Sequence, residues 1–253
     1  MKDKNFDDLI DKFRDRIYES QKGQWRLTLL KEDLSTVLPA EQCWHVWDAG
    51  CGFAQMALWL AEKQHQLTLC DLSAALLQES KKAFDEDGLK ADFHQQSFQT
   101  LAAELPAFDL VMSHAVLEWL AQPMAGLSLL INKVKPGGYL SLMFYNRNAM
   151  VYKNVIRGQW RLEPILKDSY IGKGNKLSPP NPLFPHEVLV FLTQAGCEVI
   201  QHTGIRVFHD YLSNQALKNS DQATLFALEK KYCRQPTYRD MGRYVHLLVR
   251  KPD

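Results

Sequence analysis

Paired cysteines, long apolar runs and a charge excess of either sign are all missing from this chain. The five cysteines, Cys43, Cys51, Cys70, Cys197 and Cys233, include no C-x-x-C pair. That suggests neither a zinc site nor a disulfide framework, and no metal is expected. No apolar stretch approaches membrane-spanning length. The charged start, Met1-Lys2-Asp3-Lys4-Asn5-Phe6-Asp7-Asp8, does not read as a secretory signal. A reducing cytoplasm is the expected setting, with no membrane and no protein partner implied. The net charge of +1 means that any charged surface must be local. There is no internal repeat, so stacked-repeat architectures drop out. What remains is ordinary globular material: 253 residues, 46% hydrophobic and 23% charged. That fits one large domain, or one domain with an insertion.

The chain is organised around Val46-Trp47-Asp48-Ala49-Gly50-Cys51-Gly52-Phe53-Ala54. His45 to Trp47 reads as a buried strand, the glycines as a tight turn, and Ala57, Leu58, Leu60 and Ala61 as the start of a helix. Two kinds of cofactor loop compete for this pattern. A dinucleotide fingerprint needs G-x-G-x-x-G/A, and the count from Gly50 and Gly52 lands on Gln55. The rival pattern, acidic-x-G-x-G-x-G, resembles class I S-adenosylmethionine (SAM)-dependent methyltransferases. Asp48, Gly50 and Gly52 match it, with Ala54 at the third glycine. Asp71 follows 19 positions after Gly52, at the end of the next strand, Gln66 to Asp71. An acid there accepts hydrogen bonds from ribose hydroxyls; alternatively it only caps the helix beginning near Ser73. The motif context favours cofactor binding, with Cys51 and Leu72 as neighbours in the same site.

Upstream, apolar spacing over residues 5 to 34 predicts two amphipathic helices broken near Ser20 to Gly23. In class I enzymes such a segment covers the cofactor, and Arg26 is placed to pair with the SAM carboxylate. Downstream, the spacing predicts a helix over Ala75–Phe84 and a short strand from Ala91. Ser97-Phe98-Gln99 follows, with the Phe98 amide beside adenine unless Phe98 is simply core. Phe108–Ser113 is the fourth strand, and it delivers His114 to the ligand crevice. Lys135-Pro136-Gly137-Gly138 reads as a turn feeding a fifth strand, Tyr139–Asn146. A helix over His186–Gln194, a strand within Cys197–Tyr211, a helix over 213–232 and a last strand, Arg243–Val249, complete the pattern. The expected fold is a doubly wound, Rossmann-like α/β sheet with an antiparallel last strand. It forms one domain over 1–253, with a helical cover at 5–34 and an insertion at 147–185.

Between Arg147 and Asn181 seven basic side chains stand against two acidic ones, a local excess of five in a chain of net +1. Tyr152, Trp160 and Tyr170 are interleaved with them, and Lys173-Gly174-Asn175-Lys176 before three prolines reads as an exposed loop. Basic residues among aromatics suit a phosphate-and-base surface, although charge runs are often merely solvated. Lys22, Arg157, Arg161, Lys173 and Lys176 are the candidates for binding RNA.

Longer blocks carry a closer resemblance. Asn5-Phe6-Asp7-Asp8, Lys22-Gly23-Gln24, His114 to Trp119, Ser141 to Asn146, Arg206 to Leu212 and Tyr232-Cys233-Arg234-Gln235 together resemble the bacterial tRNA 5-carboxymethoxyuridine methyltransferases. Cys51 and Phe53 depart from the small residues that relatives can carry there. The resemblance implies methylation of the carboxylate of the modified wobble uridine, position 34 in the anticodon stem-loop, with SAM as methyl donor. A carboxylate of pKa near ~4 is already ionised at neutral pH, so no general base is needed. Tyr145, Arg206, His209 and Arg243 are the candidates for holding it. Strand alternation would put Arg206 and His209 on opposite faces unless a bend intervenes. Two rival functions stay open: a small-molecule O-methyltransferase acting on a quinone precursor or organic acid, and a SAM- and tRNA-binding module without chemistry.

Overall fold

A computed structural model describes residues 20–168 and 179–253. The first predicted helix, over the start of the chain, and Lys173 and Lys176 lie outside the described residues. Seven strands form one sheet: β1 (His45–Ala49), β2 (Gln66–Asp71), β3 (Asp92–Gln95), β4 (Phe108–His114), β5 (Val134–Tyr145), β6 (Glu198–Ile205) and β7 (Tyr244–Arg250). Their spatial order is β3-β2-β1-β4-β5-β7-β6. The first five pair in parallel, and β7 runs antiparallel between β5 and β6.

Strand alternation divides the core in two. Trp47, Val111, Leu142, Phe144 and Leu247 join one buried cluster, while Val46, Met112, Met143 and Leu248 join the other. Against the second cluster pack α1 (Gln21–Ser35), α2 (Gln55–Glu62) and α3 (Ala74–Glu86), through Leu29, Leu60 and Phe84 among others. The opposite face is covered by α4 (Pro123–Asn132), through Leu127 and Leu130. Next come α5 (Arg147–Arg157) and α6 (Pro185–Gln194), the latter adding Val188 and Leu192 to that face. The last long helix is α7 (Gln222–Tyr232).

Two segments depart from expectation. Lys135–Gly138 is no separate turn: β5 begins at Val134, and the strand absorbs Gly137 at φ +73° as an irregularity in its pairing with β4. The Gly137 amide still finds a partner in the Lys251 carbonyl, at 2.9 Å. The single helix over 213–232 is two. Asn214–Asn219 stops at Ser220, and Asp221 starts α7 by accepting the Thr224 amide at 2.7 Å, a cap that outcompetes continuation. The insertion begins as regular helix. Asn146 caps α5, its Oδ1 accepting the Asn148 amide at 2.9 Å while its Nδ2 ties down the Asp240 and Gly242 carbonyls, each at 2.8 Å.

Candidate active site

The glycine turn leaves β1 through three left-handed residues, Gly50 (φ +87°), Gly52 (φ +57°) and Ala54 (φ +52°). The Gly50 and Cys51 amides both donate to the Cys70 carbonyl, at 2.9 and 3.0 Å, so the turn is locked to the end of β2. A Cβ at Gly50 would lie 2.5 Å from Val116 Cγ2, a clash added to an unfavourable φ. Asp71 completes the lock. Its Oδ2 accepts the Gly52 amide at 3.0 Å and its Oδ1 the Ser73 amide at 2.9 Å. The cap of α3 is Ser73 itself, which accepts the Leu76 amide. Asp71 is thus not the N-cap itself, although its Oδ1 holds the amide of the capping residue.

A cavity opens between this turn and α1. Of the residues the sequence proposes for the cofactor, Arg26, Asp48, Gly50, Cys51 and His114 line it, while Gly52, Asp71, Leu72 and Phe98 do not; Leu27, Leu30, Gln55 and Met56 complete the lining. Gln55 is the residue on which the dinucleotide count fails, and its Oε1 is buried without a hydrogen-bond partner among the described residues. Asp48 is 4% exposed, and among the described residues its carboxylate accepts no hydrogen bond. Burial, with the like charge of Asp71 second, pushes its pKa up to about 7. Burial holds the His114 imidazole neutral, and the Arg26 charge adds to that. Leu72 is 37% exposed beside Asp71. The Phe98 side chain is core, edge-on to Trp47 at 6.3 Å, and its amide opens the short helix Phe98–Leu101.

The donor set fits SAM. A buried carboxylate lacking a partner suits an ammonium, a buried arginine on the same cavity suits a carboxylate, and a half-buried Asp71 retains lone pairs for ribose hydroxyls.

A second group gathers at the ends of β5, β6 and β7. The Arg243 guanidinium lies 4.4 Å over the Tyr145 ring, and Arg206 lies 5.3 Å over Tyr244. Tyr145 and Tyr244 are cross-strand partners whose rings meet edge-on at 5.3 Å. Burial, partly opposed by Arg243, raises the Tyr145 phenol above its usual range and keeps it a donor.

Two of the four carboxylate-holding candidates are already engaged. Arg206 takes φ +62° immediately after β6, which turns the chain out of the strand. Its Nε donates to Asp210 Oδ2 at 2.8 Å. Burial would raise the Asp210 carboxyl, yet Arg206, His209, Arg243 and Lys153 hold it well below the usual range. Arg206 is thus the partner of a buried acid. His209 is 6% exposed, edge-on to Trp25 at 5.5 Å, with Nδ1 3.7 Å from Asp210. It is a packing residue, and the bend brings both it and Arg206 to the same carboxylate. The Arg243 guanidinium makes no hydrogen bond or ion pair among the described residues, although Asp210 feels its charge.

The basic insertion reaches this group. Lys153 on α5 lies 3.8 Å from Asp210. Burial lowers its pKa to about 8 against the pull of Asp210, and Arg243, Arg157 and Lys22 push the same way. Lys22, Arg157 and Arg243, remote in sequence, therefore share one field around Lys153. Arg161 stacks on Trp160 at 4.7 Å, and that indole is 54% exposed. Sequence reasoning also missed Glu118. It is 1% exposed, its pKa is raised by burial to about 8, and its Oε2 has no hydrogen-bond partner among the described residues.

A sheet of this order, a glycine turn after β1 and an acid ending β2 define a class I SAM-dependent methyltransferase. Residues 47–142 match a methyltransferase domain model. The plantazolicin methyltransferase BpumL in complex with SAH superposes with TM-score 0.58 at 16% identity, covering 96% of this chain and 88% of that one. The [4+2]-cyclase SpnF does so at 0.58 and 22%, covering 94% and 85%. A ubiquinone biosynthesis O-methyltransferase of Stutzerimonas stutzeri is 32% identical, over 44% of this chain and 48% of its own length. The tRNA 5-carboxymethoxyuridine methyltransferase of Escherichia coli K12 is 40% identical over 257 aligned residues, spanning 100% of this chain and 98% of its own length. The chain belongs to the tRNA 5-carboxymethoxyuridine methyltransferase family.

Proposed function

We propose that this protein transfers the methyl group of SAM to the carboxylate of 5-carboxymethoxyuridine at wobble position 34, in the anticodon stem-loop of tRNA. The product is the methyl ester. The observation that carries the substrate side is Arg243, a half-buried cation stacked on Tyr145 and beside the field of Lys153, Arg157 and Lys22. Bound SAM supplies a sulfonium that activates its methyl carbon.

The chain's own residues do the rest. Asp48, Asp71 and Arg26 hold the cofactor, and Arg243 holds the incoming carboxylate, with the Tyr145 phenol as a second donor. No proton has to leave the nucleophile. Bound in this way, SAM would give its methyl to the carboxylate oxygen and leave as the thioether, so a negative and a positive group would become two neutral ones. Charge is dispersed on the way to products, so the weakly hydrated surroundings of buried Tyr145 and half-buried Tyr244 favour the step. Its remaining demand is alignment. Lys22, Arg157 and Arg161 meet phosphates, and exposed Trp160 offers a face to an unstacked base.

Labelled SAM, incubated with tRNA bearing 5-carboxymethoxyuridine or plain uridine at position 34, tests this reading. Label should enter only the first and should leave in mild alkali, as a methyl ester does. Equal labelling of both, or alkali-stable label, defeats it.

A further inference from the structure

A buried chain of hydrogen bonds runs from α1 to the cofactor cavity. Arg234 donates to Asp33 Oδ1 through Nε at 3.0 Å and a terminal nitrogen at 2.6 Å. Asp33 Oδ2 lies 2.7 Å from His246 Nδ1. His246 Nε2 lies 2.9 Å from Ser141 Oγ, and Ser141 Oγ lies 2.8 Å from His114 Nε2. Asp33, His246 and Ser141 are each at most 1% exposed. His114 lines the cavity, and its other nitrogen, Nδ1, has no hydrogen-bond partner among the described residues.

Proton bookkeeping gives this chain a direction. Ser141 has one hydroxyl proton between two imidazoles, so one ring must donate to its oxygen and the other must accept. Asp33 requires a proton on His246 Nδ1. Arg234, which also lies 3.6 Å from Glu32, already gives Asp33 two charge-assisted hydrogen bonds, so a full charge on the wholly buried His246 ring would have only a shared counter-ion. A neutral His246 leaves Nε2 bare, and the serine hydroxyl donates to it. The serine oxygen then accepts His114 Nε2–H. A neutral His114 is left with a bare Nδ1.

We propose that Asp33, His246 and Ser141 are positioning residues that set the tautomer of His114, so that its ring presents an acceptor to the cofactor cavity. An acceptor suits a ligand bearing cationic groups; a ring N–H there would oppose them. The anchor is well placed for this. Asp33 lies seven residues after Arg26 on α1, two turns along the same face, so one helix both lines the cavity and fixes the far end of the relay.

Asp33→Asn makes the test sharp. Arg234 would keep the amide oxygen as its acceptor, turning the amide N–H toward His246 Nδ1. His246 must then carry its proton on Nε2 and donate to Ser141. The serine hydroxyl reverses toward His114 Nε2, and His114 takes its proton on Nδ1. Each partner stays hydrogen-bonded while the cavity-facing nitrogen changes from acceptor to donor. The analogous aspartate-to-asparagine change in the serine-protease triad is known to impose the wrong histidine tautomer.

The readout is long-range proton–nitrogen NMR on ¹⁵N-histidine-labelled full-length protein, without cofactor or tRNA. In the wild type His114 should show a bare Nδ1 and a protonated Nε2, and Asp33→Asn should exchange them. Ser141→Ala leaves the Asp33–Arg234 and Asp33–His246 contacts in place and cuts the relay at its centre. In that background Asp33→Asn should no longer alter His114. SAM affinity by calorimetry should fall about tenfold in Asp33→Asn, the worth of one charge-assisted hydrogen bond. A protonated Nδ1 in the wild type, or a His114 tautomer indifferent to Asp33→Asn, overturns the proposal. If Asp33→Asn does not fold, Ser141→Ala alone decides: His114 must lose its single tautomer, and an unchanged signal overturns the proposal. The tautomer is read without tRNA, so it stands or falls apart from the choice of nucleoside.

Discussion

Asp71 Oδ2 accepts the Gly52 amide at 3.0 Å, so the carboxylate that ends β2 also holds the shape of the turn that ends β1. Loop geometry and the proposed cofactor contact therefore fall to one side chain. Asp71→Ala should weaken SAM by about 1–3 kcal/mol, from the lost acceptor and from a loosened Gly52 together. Calorimetry on the folded variant checks it. Unchanged affinity would remove Asp71 from the cofactor site.

If Asp48 meets the cofactor as proposed, SAM binding should depend on pH. Its folded pKa is about 7, against 3.8 for an unperturbed aspartate. Between those values the folded protein holds a proton that the unfolded chain has released, so stability without ligand falls as pH rises and levels off above pH 7. Binding a cationic ligand needs the ionised form. SAM affinity should therefore drop below pH 7, by up to tenfold per pH unit. Asp48→Asn should flatten that slope and raise the ligand-free thermal midpoint at pH 8. Calorimetry and thermal melts from pH 5.5 to 8 measure both, and a wild-type affinity flat across this range contradicts the assignment.

Arg243 and Arg206 should separate cleanly. Arg243→Gln should cost about 2–3 kcal/mol in kcat/KM for tRNA, the worth of a charge-assisted contact, with little change in SAM affinity. Arg206→Gln should instead destabilise the fold, by about 3–5 kcal/mol, because it strips buried Asp210 of its principal partner. Steady-state kinetics and denaturant unfolding on both variants decide it. A stable Arg206→Gln protein with lost turnover would exchange the two roles.

Replacing Lys22, Arg157 and Arg161 together by Gln should weaken tRNA binding and flatten its salt dependence. Removing three cations from the phosphates of single-stranded RNA corresponds to a change of about 2 in the slope of log affinity against log salt. SAM affinity should be unaffected. Titrations at several salt concentrations provide the slope, and a wild-type value would make this face a solvated one.

The cofactor turn was legible because everything it needs is local. Asp48, Gly50 and Gly52 lie within five residues, and Asp71 ends the next strand. Period-two alternation by itself assigns Trp47 and Val46 to opposite faces of β1. The same locality explains the strands and most helices. Where two local signals competed, as at Ser220 and Asp221, the cap won over the helical run and sequence reading missed the break.

Only the tertiary structure could assign the charges. Arg206 and Arg243 look equivalent in sequence. A left-handed residue after β6 commits Arg206 to Asp210, while the β5–β7 pairing leaves Arg243 over Tyr145. Lys22 and Arg157 come within one field because the fold brings both within electrostatic reach of Lys153 on α5, a neighbourhood no spacing encodes. Asp33 and His246 lie 213 positions apart, and they meet because β7 inserts beside β5 against the face that α1 covers. Local pattern determined the scaffold and the cofactor turn, since backbone conformation and face alternation depend on near neighbours. Side-chain partners were decided by packing, since an ion pair or relay forms only between groups that the whole sheet brings together.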